Sequence, residues 1–466
     1  MLNRQKVLLA SLAILMGCGG CDSPSDPVDN QEPPPPPPPG TTVAVNLAVQ
    51  HQTMTGWQAN AQAGQWEPGF AQWRDAVMDR AVADGINRLR MDTRSGIENT
   101  RNAFSEFFSG AITMNDWRCV RYATVNDNAN PAVLDISRFN FSELDTAMSR
   151  VVLPLRQRLQ AKGETLGLTI TYVAFTWQNC AGTLYHHTDA EEYAEFAVAV
   201  MTHLRDRYGV VPDAWELINE PDNTAGVWTQ DRIRLAVLAI DRRLSQAGFQ
   251  TSIIAPSHSS AASARSSAEA LMATPAAPMI DQIGYHRYDG PTDANVKALG
   301  DLAAARGIST AMTEHIGSGY QELIKDVTLG RASAWEQYTL AYPGEGDNGG
   351  AYYTIQGSTV TTGSRTKYLR HYFRHVRRGA VRVDATSETS SVVPVAFRNV
   401  NGRVAVILKY DSPGVITIGG LPAGRYGVGF ESEATSDGSL PDVTVGADGV
   451  ATLQVQSRGV VALFSR

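Results

Sequence analysis

Residues 214–221 read Ala214-Trp215-Glu216-Leu217-Ile218-Asn219-Glu220-Pro221. The run reads as a short strand ending at Asn219-Glu220, because Pro221 has no amide hydrogen for a sheet ladder and turns the chain into a loop. Its meaning depends on how many such strands surround it. Working outward, short apolar runs recur at 54–59, 86–91, 168–174, 251–255, 282–285, 309–313 and 332–337. Amphipathic stretches lie between most of them, at 69–84, 142–162, 189–208, 230–247 and 293–306, with a last one at 367–376. Thr188 and the acids after it make a good helix start. Eight β/α units in register are the count of a closed parallel barrel, so the chain is expected to be an α/β protein with a (β/α)8 TIM barrel.

Past Arg378 the pattern changes. Runs at 392–397, 403–410, 415–418, 426–430, 450–455 and 460–464 read as antiparallel strands, with turns at Asn401-Gly402, Ser412-Pro413-Gly414 and Asp448-Gly449. The expected layout is a catalytic-type barrel over 42–378 and a β-sandwich over 379–466, with the strand near Val43 a candidate to join the sandwich.

The start of the chain has the marks of export. Arg4 and Lys6 precede an apolar run at 7–16, too short for the ~20 residues of a membrane-spanning helix. Leu15-Met16-Gly17-Cys18, within a lipoprotein-type signal segment over 1–21, looks like a bacterial lipobox, which makes Cys18 the expected lipidation site and new N-terminus; an ordinary signal peptide is the alternative. Residues 22–41 form a linker that ends in prolines 33–39, a semi-rigid spacer that would hold a domain off a membrane. Cys119 and Cys180 remain for the folded part. In an oxidising compartment they form one disulfide or stay as two buried thiols. A net charge of −7 without a basic run argues against nucleic acid as the partner. A monomer is expected.

Catalytic groups of a βα barrel sit at the C-terminal strand ends. Glu220 ends the fourth strand. Glu314 takes the matching position on the seventh, in Ile308-Ser309-Thr310-Ala311-Met312-Thr313-Glu314-His315. Two acids so placed face each other across the mouth, as glycoside hydrolysis requires: one protonates the leaving oxygen and the other attacks or stabilises the anomeric carbon. Either acid alone reads equally well as a surface loop residue. Arg90, near the end of strand two, is suited to keep a nucleophilic carboxylate ionised, with Asp92 a weaker candidate. Asn219 is suited to bind substrate. His286 or Tyr288, at the end of strand six, donates to Glu314 or to a sugar hydroxyl. Trp177, after strand three, and Trp335, on strand eight, are candidate stacking platforms. Trp57 is a weaker one, and Gln178 and Asn179 are candidate hydroxyl partners. No His-Glu-x-x-His, close Cys/His cluster, acid-rich calcium loop or Gly-x-Ser-x-Gly elbow occurs, so neither a metal nor a cofactor is expected. His186-His187 reads as exposed loop.

Asn219-Glu220-Pro221, Thr313-Glu314, Arg90 and His286-x-Tyr288 resemble the motifs of clan A glycoside hydrolases. Within the clan the layout is most similar to family 30. Gln52-x-Met54-x-Gly56-Trp57 resembles that family's opening strand, although its usual Gly-Phe-Gly-Gly is Gly56-Trp57-Gln58-Ala59 here. The stretch 368–383 resembles its last barrel helix and the joint into the side β-domain, with Arg378 where proline is usual. The resemblance implies a retaining glycosidase acting on a β-linked polysaccharide or oligosaccharide. Glu220 would be its acid/base, and Glu314 would carry a covalent glycosyl intermediate. The two carboxyls would then lie about 5–5.5 Å apart, and Glu220 would have the higher pKa. A surface lipoprotein that binds glycans without cutting them is the competing reading.

Overall fold

The eight apolar runs close on one another. The computed structural model describes residues 40–466 except 176, 177, 179, 181, 183, 184 and 345, so the leader, Cys18 and the proline run lie outside the described residues. The first strand, β1 (Thr41–Thr53), precedes the barrel. Its strands are β2 (Gly56–Asn60), β3 (Arg88–Arg94), β4 (Gly167–Val173), β5 (Ala214–Glu216), β6 (Ser252–Ser260), β7 (Gln282–Asp289), β8 (Ser309–Glu314) and β9 (Ala332–Pro343). They pair in chain order, all parallel, and β9 returns to both β8 and β2. The far half of β9 forks away to pair with β10 (Ala351–Gln356), which forms a hairpin with β11 (Thr359–Thr362). A hairpin there was not foreseen from the sequence.

Helices α1 (Arg74–Asp84), α4 (Ser142–Ala147) with α5 (Leu153–Ala161), α6 (Ala190–Tyr208), α7 (Gln230–Gln246), α8 (Ala261–Met272), α9 (Asp293–Ala305), α10 (Tyr320–Thr328) and α11 (Ser364–Phe373) follow the strands. Their starts are local chemistry. Asp189, Thr229, Ser260 and Thr292 each accept a backbone N–H of the first turn of α6 to α9. Helix α1 ends at Gly85 with φ 100°, a left-handed cap, and a Cβ there would stand 2.4 Å from the Phe373 carbonyl, so glycine lets α1 dock on α11. Between β3 and α4 the chain makes a long excursion that carries α2 (Ala103–Phe108) and α3 (Met114–Val120). A Cys119–Cys180 disulfide ties it to the segment after β4, with the two Cα atoms 4.8 Å apart.

Inside the barrel, Ala214, Ile254, Ala311 and Ala334 form a small, fully enclosed apolar layer. Side chains alternate along a strand, so the residues two positions further on face inward too: Glu216, Thr313 and Glu336. Small residues below thus leave room for polar ones above.

The remaining strands are β12 (Val381–Ser387), β13 (Val392–Arg398), β14 (Val404–Tyr410), β15 (Gly414–Gly419), β16 (Gly424–Ser432), β17 (Gly438–Val445), β18 (Ala451–Val455) and β19 (Gly459–Ser465). With β1 they make a nine-stranded, mostly antiparallel sheet that curls into a nearly closed sandwich. Strand β1 runs antiparallel to β12 and parallel to β15. The joint between barrel and sandwich is ionic. Arg378, standing where proline was usual, pairs with Asp213. Arg374 reaches Asp437 at 2.7 Å, and Arg370 donates to Glu431 at 2.8 Å.

Glu431 also accepts the Asp437 N–H at 2.9 Å and lies 3.9 Å from His371. Burial alone would raise its carboxyl, but His371 and the other donors outweigh burial and bring it down to about 2. A folded value below the unfolded 4.5 means that the contribution is present at neutral pH and fades as pH falls from there towards 2. Glu431→Gln is expected to cost on the order of 2 kcal/mol at pH 7. The difference from the parent should shrink steadily below pH 4.5 in urea unfolding curves.

Candidate active site

Strand β5 stops at Glu216, and the next four residues climb out of the barrel. Asn219 N–H donates to Tyr172 O at 2.8 Å and Glu220 N–H to Ser257 O at 3.0 Å, pinning the turn to both neighbouring strands. Glu220 then takes φ 50°, ψ 66°, a left-handed conformation for a residue with a side chain. That costs on the order of 1 kcal/mol. Pro221 disfavours the ordinary helical alternative for the residue before it. The result sets the Glu220 carboxylate against His286 of β7, whose Nδ1 lies 3.0 Å from Oε1. Asn223 Nδ2 donates to Oε2 at 3.2 Å.

Glu314 closes β8 on the opposite side. Tyr288 donates its hydroxyl to Oε1 at 2.9 Å, and Arg90 donates to Oε2 at 2.9 Å. One carboxylate oxygen of Glu220, one of Glu314 and a ring nitrogen of His286 lie within 4.8 Å of one another. The question of which strand-six residue serves Glu314 is thereby answered geometrically: Tyr288 bonds Glu314, and His286 bonds Glu220.

Arg90 holds this arrangement from below. It is 1% exposed, and its Nε donates to Glu216 Oε2 at 2.5 Å. A terminal nitrogen donates to Asn219 Oδ1 at 2.5 Å and to Thr171 Oγ1 at 3.2 Å. Thr313 donates to the other Glu216 oxygen at 3.0 Å. Burial would raise Glu216, but Arg90 outweighs it and keeps the carboxylate ionised. Glu336 has no such partner. Burial, together with the charge of Glu314 and despite Arg90, pushes it well above the usual range, and among the described residues only Gln58 donates to it, at 2.6 Å.

The pKa order expected of the two mouth acids is reversed in this arrangement. Burial pushes Glu314 up, and His286, Arg90 and Tyr288 only partly oppose it. Burial acts on Glu220 too, but the hydrogen bond and charge of His286 overcome it and leave that carboxyl below its ordinary value. His286 is correspondingly raised: burial opposes its charge, and Glu220 and Glu314 overcome it. The sequence singled out His286 as a partner for Glu314 or a sugar hydroxyl, but not for Glu220, which it bonds.

Three further expectations fail on strand parity and on burial. Trp335 points out of the barrel, fully buried, with its indole N–H donating to Asp326 at 2.8 Å and its ring tilted against Phe373. A stacking platform needs an open face, so Trp335 is core. Trp57 is core too, stacked on Phe373 and donating to Val376 O at 2.6 Å. His187 is not exposed loop: it is 1% exposed and bridges Glu98 at 2.5 Å and Tyr172 at 2.7 Å. Trp177 and Asn179 lie outside the described residues, and Gln178 faces Arg121. Glu216, Thr313 and Glu336 went unread. Period-two alternation from Ala214, Ala311 and Ala334 is the signal that finds them. Tyr338 was also missed. It follows the inward-facing Glu336 by two positions on β9, and burial with the charges of Glu314 and Asp92 pushes its phenol up.

Asp92 accepts from Asn60 at 2.8 Å at the rim. From there a recess runs into the β3–α4 excursion. Arg94, Phe104 and Glu143 line both this recess and a further cavity of about 170 Å³. Arg121 sits in that cavity with its guanidinium over Trp117 and Tyr122, at 5.0 and 4.9 Å. Among the described residues no carboxylate lies within salt-bridge distance of it.

The fold is shared with solved structures of family 30 glycoside hydrolases. No family model and no curated protein matches the sequence. Solved structures do. The catalytic domain of a family 30 xylanase C from Talaromyces cellulolyticus aligns with a TM-score of 0.66 at 16% identity, over 91% of this chain and 99% of that one. A conserved exported protein from Bacteroides fragilis aligns with a TM-score of 0.68 at 12% identity, over 91% and 100%. An endo-β1,6-glucanase aligns with a TM-score of 0.63 at 16% identity, over 91% and 93%.

The two interior acids give a contrast in stability. Burial pushes Glu336 towards its neutral form, which glutamine reproduces, so Glu336→Gln should cost less than about 1 kcal/mol. Glu216→Gln leaves Arg90 without its nearest counter-charge and should cost about 3–5 kcal/mol. Denaturant unfolding of both variants at pH 7 checks the pair.

Proposed function

We propose that the protein is a retaining glycoside hydrolase acting on β-linked polysaccharide or oligosaccharide, with Glu220 as acid/base and Glu314 as nucleophile. The observation that carries the reading is the pair itself: carboxylate oxygens within 4.8 Å across a barrel mouth, each with its own donors. That gap suits direct attack. An inverting pair leaves about 6.5–9.5 Å for a water. The fold shared with a xylanase and an endo-β1,6-glucanase supports it.

In the first step Glu314 attacks the anomeric carbon in its ionised form, which Arg90 and Tyr288 favour against burial, while the glycosidic oxygen takes a proton from the Glu220–His286 pair. The C–O bond breaks and a glycosyl ester forms on Glu314. In the second step Glu220 accepts a proton from water, the water oxygen attacks the same carbon, and Glu314 leaves as carboxylate. Two inversions retain the anomeric configuration. Asn219, its carbonyl oxygen fixed by Arg90, presents its amide N–H to a sugar hydroxyl. Tyr338 and the cleft through Arg94 to Trp117 offer length for further sugar units.

Export and attachment to the envelope through acylated Cys18 complete the reading. The lipobox-like 15–18 and the proline spacer support it. Among the described residues no helix is long and apolar enough to cross a membrane.

Glu314→Ala is expected to lower kcat by at least about 10⁴-fold on xylan or β-1,6-glucan while leaving glycan affinity in place. Glu220→Ala should lose about 10²–10⁴-fold but recover on aryl glycosides, whose leaving group needs no proton. Proton NMR of the first product should show the retained anomer. An inverted one, or no hydrolysis across a broad glycan panel, removes the proposal.

Tyr288→Phe takes a hydrogen bond from the ionised form of Glu314, whose carboxyl must then rise. The acid limb of the kcat/KM profile, set by ionisation of the nucleophile, should move to higher pH by roughly one unit.

A further inference from the structure

A second group of acids assembles away from the mouth, where the β3–α4 excursion meets α6. Asp127 comes from the excursion. Glu192 and Glu195 stand three residues apart on the first turns of α6. One oxygen of each lies within 4.8 Å of the other two. Acids at a helix start are ordinary, and by themselves these would signify nothing beyond the helix dipole. Their burial and their missing partners are not ordinary. Glu195 is 2% exposed, and its Oε1 has no hydrogen-bond donor. Asp127 is 7% exposed. Its Oδ2 accepts the Asp135 N–H at 2.5 Å, and its Oδ1 is buried without a donor. Asn126 bonds Glu192 through its side chain, and its own carbonyl oxygen is also buried without a donor.

Three buried or half-buried carboxylates therefore converge, and Glu195 and Asp127 each keep a buried oxygen that accepts from no donor. Among the described residues no cation forms a salt bridge with them, although the charge of Arg243 acts on Glu195. His187 is engaged between Glu98 and Tyr172, and Arg243 pairs with Glu191 at 3.5 Å. Glu98 adds a further negative charge, with its Oε1 on the Asp127 N–H at 2.8 Å.

We propose that Asp127, Glu192 and Glu195 bind one divalent cation of the calcium type. All the donors are hard oxygens, without sulfur or imidazole, which excludes a preference for zinc or copper. Several carboxylates drawn from two separate segments suit the variable shell of calcium better than the strict octahedron of magnesium. The ion would clamp the excursion to α6. The Cys119–Cys180 disulfide ties the same excursion to the segment before α6, so the cleft wall is held by one covalent link and one ionic link.

The test is calorimetric titration of CaCl2 into the full chain after EDTA treatment and dialysis, beside thermal unfolding with and without calcium. One saturable site per chain is expected, with a rise in Tm of several degrees and weaker binding of MgCl2. Glu195→Gln and Asp127→Asn should each weaken calcium at least tenfold. Glu192→Gln, at a half-buried position that tolerates change, should weaken it measurably if either of the first two fails to fold. No saturable calcium binding to the EDTA-treated parent, unchanged affinity in the folded variants, or magnesium binding more tightly than calcium overturns the assignment. None of these readouts depends on glycosidase activity.

Discussion

One buried guanidinium organises the barrel mouth. Arg90 rises from β3 in a fully enclosed site and gives its nitrogens to Glu216 on β5, Glu314 on β8, Asn219 beyond β5 and Thr171 on β4. A charge so deep is tolerable only if every donor is answered. The strands supply the answers because Ala214, Ala311 and Ala334 keep the layer below slim. Glu216 is the permanent counter-ion, shielded from the mouth. Glu314 is the second partner, half freed to face outward. The same cation thus anchors the fold through one acid and conditions chemistry through another.

The left-handed turn at Glu220 belongs to this economy of position. Backbone bonds to Tyr172 and Ser257 hold a conformation that the residue would not choose alone. His286 then fixes the carboxylate. Two acids of the same type, on strands of the same sheet, thereby meet different surroundings: a guanidinium and a phenol for one, an imidazole and an amide for the other. Nearness without equivalence is what an unequal division of labour between two carboxylates requires.

Much of this was legible in the sequence. All eight barrel strands were found by their apolar runs, and the strand-end rule picked Glu220, Glu314, Arg90, His286 and Tyr288, which the fold brings together. What failed did so for identifiable reasons. Trp335 was chosen for its place in the chain without regard to parity, and one step along β9 separates a core indole from the interior Glu336. His187 looked exposed because its partners, Glu98 and Tyr172, are distant in sequence. The excursion between β3 and α4 lacks a clear period, so its helices and its cleft could not be read. The acid cluster of Asp127, Glu192 and Glu195 is invisible to a search for calcium loops, since its donors are scattered along the chain and adjacent only after folding. The raised Glu314 and lowered Glu220 carboxyls depend on burial and on an imidazole from a third strand, neither of which a motif encodes.

Strand β1 gives the molecule an order of assembly. It is the first described strand to be made, yet it lies between β12 and β15, whose residues arrive only after the whole barrel has been synthesised. Until then β1 is an open edge with no neighbour, and the sandwich cannot close. The two halves of the chain are therefore not successive beads that mature one after the other. The first and last described strands belong to one sheet, and a chain released before β12 leaves β1 without either of its partners.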